Sequence, residues 1–182
     1  KQPLANYIDG LVALGGAYWT TMETAASFVG VGLEGTVVPL KSGMPALTNN
    51  NFVGADLNVL TGLLGNGSTK TLNTNWSPSS NASDDLSFSV YCTGTPNTGY
   101  VIGAGEFTAA SNIQYDGYSR NNSQTGNSGR VAVSTGNMSG TTRSASTGFD
   151  WVSGGSSGSF TQTAATPTAS NFSIFSRTGN EV

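Results

Sequence analysis

Histidine is absent from this 182-residue chain, cysteine occurs once, and charge is scarce at 9% of residues, against the ~25% of an ordinary globular domain. Each shortage excludes something. Without His, no Ser–His–Asp or Cys–His nucleophilic arrangement can be built, and general acid–base chemistry loses its usual carrier. With no His and a lone Cys92, a zinc centre lacks a ligand set and no internal disulfide can close. The formal net charge is −3, and Lys41, Lys70, Arg120, Arg130, Arg143 and Arg177 are scattered. Nucleic-acid binding needs a clustered cationic footprint and an anionic lipid surface needs a polybasic patch, so neither partner is expected. No apolar run approaches the ~20 residues of a membrane span. The opening Lys1-Gln2-Pro3 has neither an initiator Met nor a signal-peptide core and reads as the start of a trimmed chain or of a segment from something longer.

What is present is Gly (25 residues) and many Ser, Thr and Asn, with 36% hydrophobic residues. Low charge with that apolar fraction is not the composition of disorder, and the length suffices for one domain with a core. Thr- and Gly-rich sequence with little Glu or Lys favours strands and turns over helices. The clearest strand is Leu86-Ser87-Phe88-Ser89-Val90-Tyr91-Cys92, apolar at every second position, as expected where one strand face is buried and the other wet. Cys92 falls in register with Leu86, Phe88 and Val90 and reads as a small core residue.

Further strands are predicted at Leu57–Leu60, Thr69–Asn73, Tyr100–Gly105, Asn112–Tyr118, Arg130–Ser134, Gly140–Ser144, Phe149–Val152, Ser159–Thr163 and Phe172–Ser176. Their spacing of mostly about 10–14 residues, with turn formers between, predicts an antiparallel sandwich or jelly roll. Leu4, Tyr7, Ile8, Leu11 and Val12 recur at helical spacing, so Leu4–Leu14 is predicted to be a short amphipathic helix stopped by Gly15-Gly16. A strand is expected around Ala25–Val31, and Leu33–Asn51 reads as loop plus a short strand. Asn121–Ser128 reads as an exposed hairpin tip, and Gly154–Gly158 as a hairpin turn.

Few residues suggest chemistry. A glycosidase needs two carboxylates facing across a sugar. The only near neighbours, Asp84 and Asp85, are adjacent and sit in a polar loop. Asn81–Asp85 has some oxygens that calcium would want, but reads first as a solvated turn. Carbohydrate binding asks for aromatic faces with polar groups beside them. Tyr115, Tyr118 and Arg120, within Tyr115–Arg120, are the candidate residues, with Trp151 and Trp76 as further aromatics. The plainer reading puts Trp151 in the core in register with Phe149, and Tyr115 inward with Ile113.

Gly65-Asn66-Gly67-Ser68-Thr69-Lys70-Thr71-Leu72-Asn73-Thr74-Asn75 resembles the "GNGSTKYLDT" segment of concanavalin A-like, LamG-type jelly-roll domains in tailed-bacteriophage virion proteins. Leu86–Tyr91 is similar to the strand that follows in that family, and Ser170–Asn180 to its later "N-I-Y-I-G-A-R-N-G" strand and turn. The N-terminal helix, Gly15–Trp19 and the strand at Ala25–Val31 resemble the lead-in of phage versions. The resemblance implies an all-β, two-sheet antiparallel jelly-roll sandwich over 24–182, preceded by a helical lead-in over 1–23. It implies a virion-surface protein that associates with itself and with other virion proteins: a capsid decoration, a fibre or a tail-tip part. Members of the wider superfamily bind sugars or hydrolyse glucans. The Glu-x-Asp-x-x-Glu signature of the glucanases and the metal-binding Asp-rich loop of legume lectins are both absent here, so a non-enzymatic role with no cofactor or metal is expected. A module binding host glycan is the alternative, and a glycan hydrolase the third. The family's closing Gly-Arg-Ile strand is missing after Gly179-Asn180, which leads us to expect that flanking sequence or a partner subunit supplies it.

Overall fold

The structure, a computed structural model, describes residues 22–23, 25–28, 32–66, 68–94, 100–104, 110–114, 120–123 and 136–176, together with Asp9. In chain order its strands are β1 (Thr48–Asn50), β2 (Leu57–Asn58), β3 (Gly62–Leu63), β4 (Thr71–Asn73), β5 (Leu86–Cys92), β6 (Tyr100–Ala104), β7 (Ala110–Gln114), β8 (Arg120–Ser123), β9 (Asn137–Ala145), β10 (Gly148–Ser153), β11 (Ser156–Thr161) and β12 (Ser173–Ile174). The chain is all-β and antiparallel throughout these pairings. One sheet runs β1-β4-β12-β6-β7-β8, a second runs β11-β10-β9-β5, and β2 with β3 forms a small hairpin. Short 3₁₀ turns occupy Leu33–Val37, Gly54–Asp56 and Pro78–Ser80.

The alternation in β5 does what its sequence predicts. Leu86, Phe88, Val90 and Cys92 face inward while Ser87, Ser89 and Tyr91 are exposed. In register with them, Arg143, Thr141 and Ser139 of β9 are buried. Across β10 the row continues through Phe149, Trp151 and Ser153. The inward side chains of β5 meet β6: Leu86 and Phe88 cluster with Ala104, Ile102 and Phe172, and Val101 packs on Phe88, Val90 and Cys92. A neighbouring cluster joins Leu47, Phe52, Leu72 and Ile174, with Leu33, Val37, Leu63 and Phe175 against it.

The Gly65–Asn75 segment is a structural staple. Asn66 Oδ1 accepts from the amides of Ser68, Thr69 and Lys70 at 3.1, 3.0 and 3.0 Å, and this local alternative to a ladder holds the β4 pairing back to Thr71. Gly65 has no room for a side chain, since a Cβ would lie 2.7 Å from the Phe175 ring. Asn75, at φ +56, turns the chain and donates to Ala46 O and Thr48 Oγ1 at 2.7 and 2.9 Å. Lys70 Nζ pairs with Asp56, whose other oxygen accepts from the Val53 amide at 2.8 Å.

That ion pair has a testable consequence. The Lys70 ammonium first, then the Val53 amide, hold the Asp56 carboxyl below its ordinary 3.8. A folded-state pKa depressed in this way gives stability that is present above the unfolded value and is lost as pH falls through the folded one. Asp56→Asn is expected to flatten the acid limb of the unfolding curve below about pH 4. Parallel limbs for variant and native chain in denaturant titrations would show that the pair contributes nothing.

Several predicted boundaries move for physical reasons. Residues 25–28 join no ladder; Ala25 instead accepts from the Leu40 amide at 3.0 Å. Asn121–Ser123 belong to β8 and not to a hairpin tip. The predicted strand Phe172–Ser176 shrinks to β12 because Phe175 sits at φ +66, outside the strand region. β11 starts three residues earlier than predicted because only Gly154 and Gly155, at φ +58 and +81, make the turn. Positive φ at both central positions marks the tight hairpin that fits strand twist. The predicted helix Leu4–Leu14, apart from exposed Asp9, and the predicted strand Arg130–Ser134 lie outside the described residues.

Candidate functional site

Of the four candidate sugar-binding residues, Tyr115 and Tyr118 lie outside the described residues, and Arg120 opens β8 with its backbone paired to Asn112. Trp151 sits mid-strand in β10 and faces inward with Phe149 and Ser153. Its indole lies on Gly158 of β11, where a Cβ would be 2.9 Å from Nε1. It also stacks on Phe160 with centroids 6.1 Å apart and 19° between planes. Phe160 in turn meets Phe149 edge-on at 5.4 Å. Trp151 is therefore part of a half-buried aromatic shelf, on the same face as Phe149.

A pocket of about 280 Å³ opens on the same strands, with Phe149 and Phe160 in its lining beside residues of the opposite face. Its lining includes Thr142 and Ser144 of β9, Thr147 in the β9–β10 turn, Asp150 of β10, and Ser159 and Thr161 of β11. Ser159 Oγ donates to Asp150 Oδ1 at 2.6 Å. On the same face the Ser87 and Thr142 hydroxyls meet across β5 and β9 at 2.5 Å. Hydroxyls beside one carboxylate suit hydrogen bonding to a neutral polyol. Asp150 is the only carboxylate in the lining, so the lining does not assemble the facing pair that glycoside hydrolysis uses. Sequence reading missed Asp150 because its partners come from two other strands. The signal was available: a residue between inward Phe149 and Trp151 must face outward, and the two-glycine turn sets Ser159 opposite it.

Arg143 pins the end of this sheet from within. It is 1% exposed, and its Nη1 donates to the carbonyls of Ala145, Gly148 and Gln162 at 3.1, 3.0 and 2.9 Å. Its guanidinium stands 5.4 Å from the Phe149 ring centre. Burial lowers its pKa from the ordinary value, and the charge of Asp84 opposes that shift.

The remaining candidates are quiet. Asn81–Asp85 forms a turn, with the Asp85 amide on Ala82 O at 3.2 Å and Asn81 Nδ2 on Asp85 O at 3.3 Å. Among the described residues no group of three or more His, Cys, Asp or Glu could hold a metal ion. Cys92 is half-buried, and burial pushes its thiol pKa up, away from the reactive thiolate. No helix among the described residues is long and apolar enough to cross a membrane. No family model, curated protein or solved structure matches the chain.

Proposed function

We propose that the chain is a non-enzymatic structural protein of a phage particle surface, a capsid decoration, fibre or tail-tip component, that works by assembly. In this reading the two larger sheets form a jelly-roll sandwich of the concanavalin A-like type, with a short N-terminal helix before it. The packing of β5 against β6 supports the sandwich. The observation that carries the assembly reading is the β2–β3 hairpin. Leu60 is 82% and Leu64 75% exposed, and Val59, next to Leu60 in the turn, is also exposed. Asn58 Oδ1 accepts from the amides of Leu60 and Thr61 at 2.9 and 3.2 Å, and Thr93 Oγ1 donates to Thr61 O. The apolar tip is thus held outward by a built turn. Large apolar side chains left exposed on one short hairpin favour an interaction surface there.

Immunogold electron microscopy of the native particle, with antibody raised against this chain, tests the reading. Label on the head, the fibres or the tail tip is the expected result, and an unlabelled particle would remove it. The hydroxyl-lined pocket at Asp150 favours a second reading, an adhesion module for host surface polysaccharide. For that reading, Asp150→Ala should release the chain from immobilised host glycan at unchanged melting temperature; retention by the variant would argue against it.

A further inference from the structure

We propose that the open edge of β11 is a docking surface for a second copy of this chain, the two β11 strands pairing antiparallel about a two-fold axis at Ser159. The proposal rests on the assembly reading above and gives it a specific contact.

Residues along an antiparallel ladder alternate between those that bond their neighbour and those that do not. The two-residue turn makes Ser153 and Ser156 a bonded pair, and the alternation runs unbroken down β10 and β11. It carries on past β11, where the Gln162 amide donates to Thr147 O at 2.9 Å. By that parity Ser157, Ser159 and Thr161 turn their N–H and C=O groups away from β10, toward the open edge. All three residues are exposed, and their outward backbone groups meet no partner among the described residues.

Such an edge invites pairing unless something blocks it, and natural edges use charge, proline, bulges or brevity for that. β11, Ser156-Ser157-Gly158-Ser159-Phe160-Thr161, has no charged residue and no proline, and its register against β10 is regular over six residues. In the other large sheet the edge strand β1 is only three residues long, and the edge strand β8 has Arg120 in its sequence.

The register specifies a second copy as the occupant. Centring the pair on Ser159 sets Ser159 against its mate and Ser157 against Thr161 on both sides, so each outward residue meets another. On the inner face each Phe160 then falls opposite the other copy's Gly158, next to the Trp151 indole that lies on that glycine. Two half-buried aromatic shelves become one. The nearest charge, Asp150, stays one strand back, where Ser159 already donates to it.

Sedimentation velocity across a concentration series of the whole chain reads the outcome. The native chain should show a monomer–dimer equilibrium, and Ser159→Pro should weaken it by at least about tenfold. Proline there removes an N–H that β10 does not use, and edge strands tolerate it. If Ser159→Pro fails to fold, Ser159→Cys serves: bonded pairs stand ~5.5 Å apart at Cα, within disulfide reach, so oxidation should cross-link the dimer through that position. A native chain that stays monomeric overturns the proposal. So does a dimer that survives Ser159→Pro or refuses the cross-link. Either of those results leaves the immunogold result, and with it the assembly reading, standing or falling on its own.

Discussion

Arg143→Met is expected to cost about 1–3 kcal/mol of folding stability, the range for leaving a buried hydrogen-bonding group without its partner, and to lower the melting temperature by about 5 °C. Replacing a buried charge with an apolar side chain can be neutral when both partners go together. Its partners include the backbone carbonyls of Ala145, Gly148 and Gln162, which no side-chain substitution removes. Each loses a donor, at a site where Arg143 is 1% exposed. The cation–π contact with Phe149 goes as well. Arg143→Lys keeps the charge but offers no planar fork, so it should recover less than half of the loss. Chemical denaturation of the three proteins checks this, and a Met variant within about 1 kcal/mol of native would mean that water reaches those carbonyls.

The strands were legible where one residue's environment follows from its own position. Leu86–Cys92 alternates cleanly, and it forms β5 with Leu86, Phe88, Val90 and Cys92 inward. Phe149 and Trp151 share a face for the same reason. Legibility failed where a side chain or a turn overrides the pattern. Thr69 and Lys70 look like strand but are gathered by Asn66 Oδ1, and Phe175 leaves the strand through a left-handed backbone. β1 and β3 are too short, at three and two residues, for any period to show. The pocket was hidden because its lining comes from three strands and a turn whose register no local window contains. Arg143 was read as one scattered cation, since burial against carbonyls 2, 5 and 19 residues away leaves no trace in spacing.

Phe172→Ala is expected to be the most damaging single core substitution, about 3–5 kcal/mol by the usual cost of deleting a buried Phe side chain. Phe172 is 2% exposed and clusters with Leu86 of β5 and Ala104 of β6, so its ring lies where the two larger sheets meet. It stacks on Trp76 at 5.7 Å and 10°, and tilts against Phe88 at 5.0 Å and 50°. Each aromatic pair adds about 0.5–1.5 kcal/mol beyond area burial. The cavity has little freedom to collapse, because the backbone around it is fixed. The Phe172 amide donates to Trp76 O, and its carbonyl accepts from the Thr74 amide and from Thr74 Oγ1, all at 2.9 Å. Phe172→Leu fills most of the space and should cost about 1–2 kcal/mol, the price of changed shape and lost ring contacts. A double-mutant cycle with Phe88→Leu isolates the ring–ring part, expected at about 0.5–1.5 kcal/mol. If the cycle closes at zero and Phe172→Ala costs under about 1.5 kcal/mol, the β5 and β6 faces are held together elsewhere. The ring at 172 would then be filling space that the sheets do not need filled.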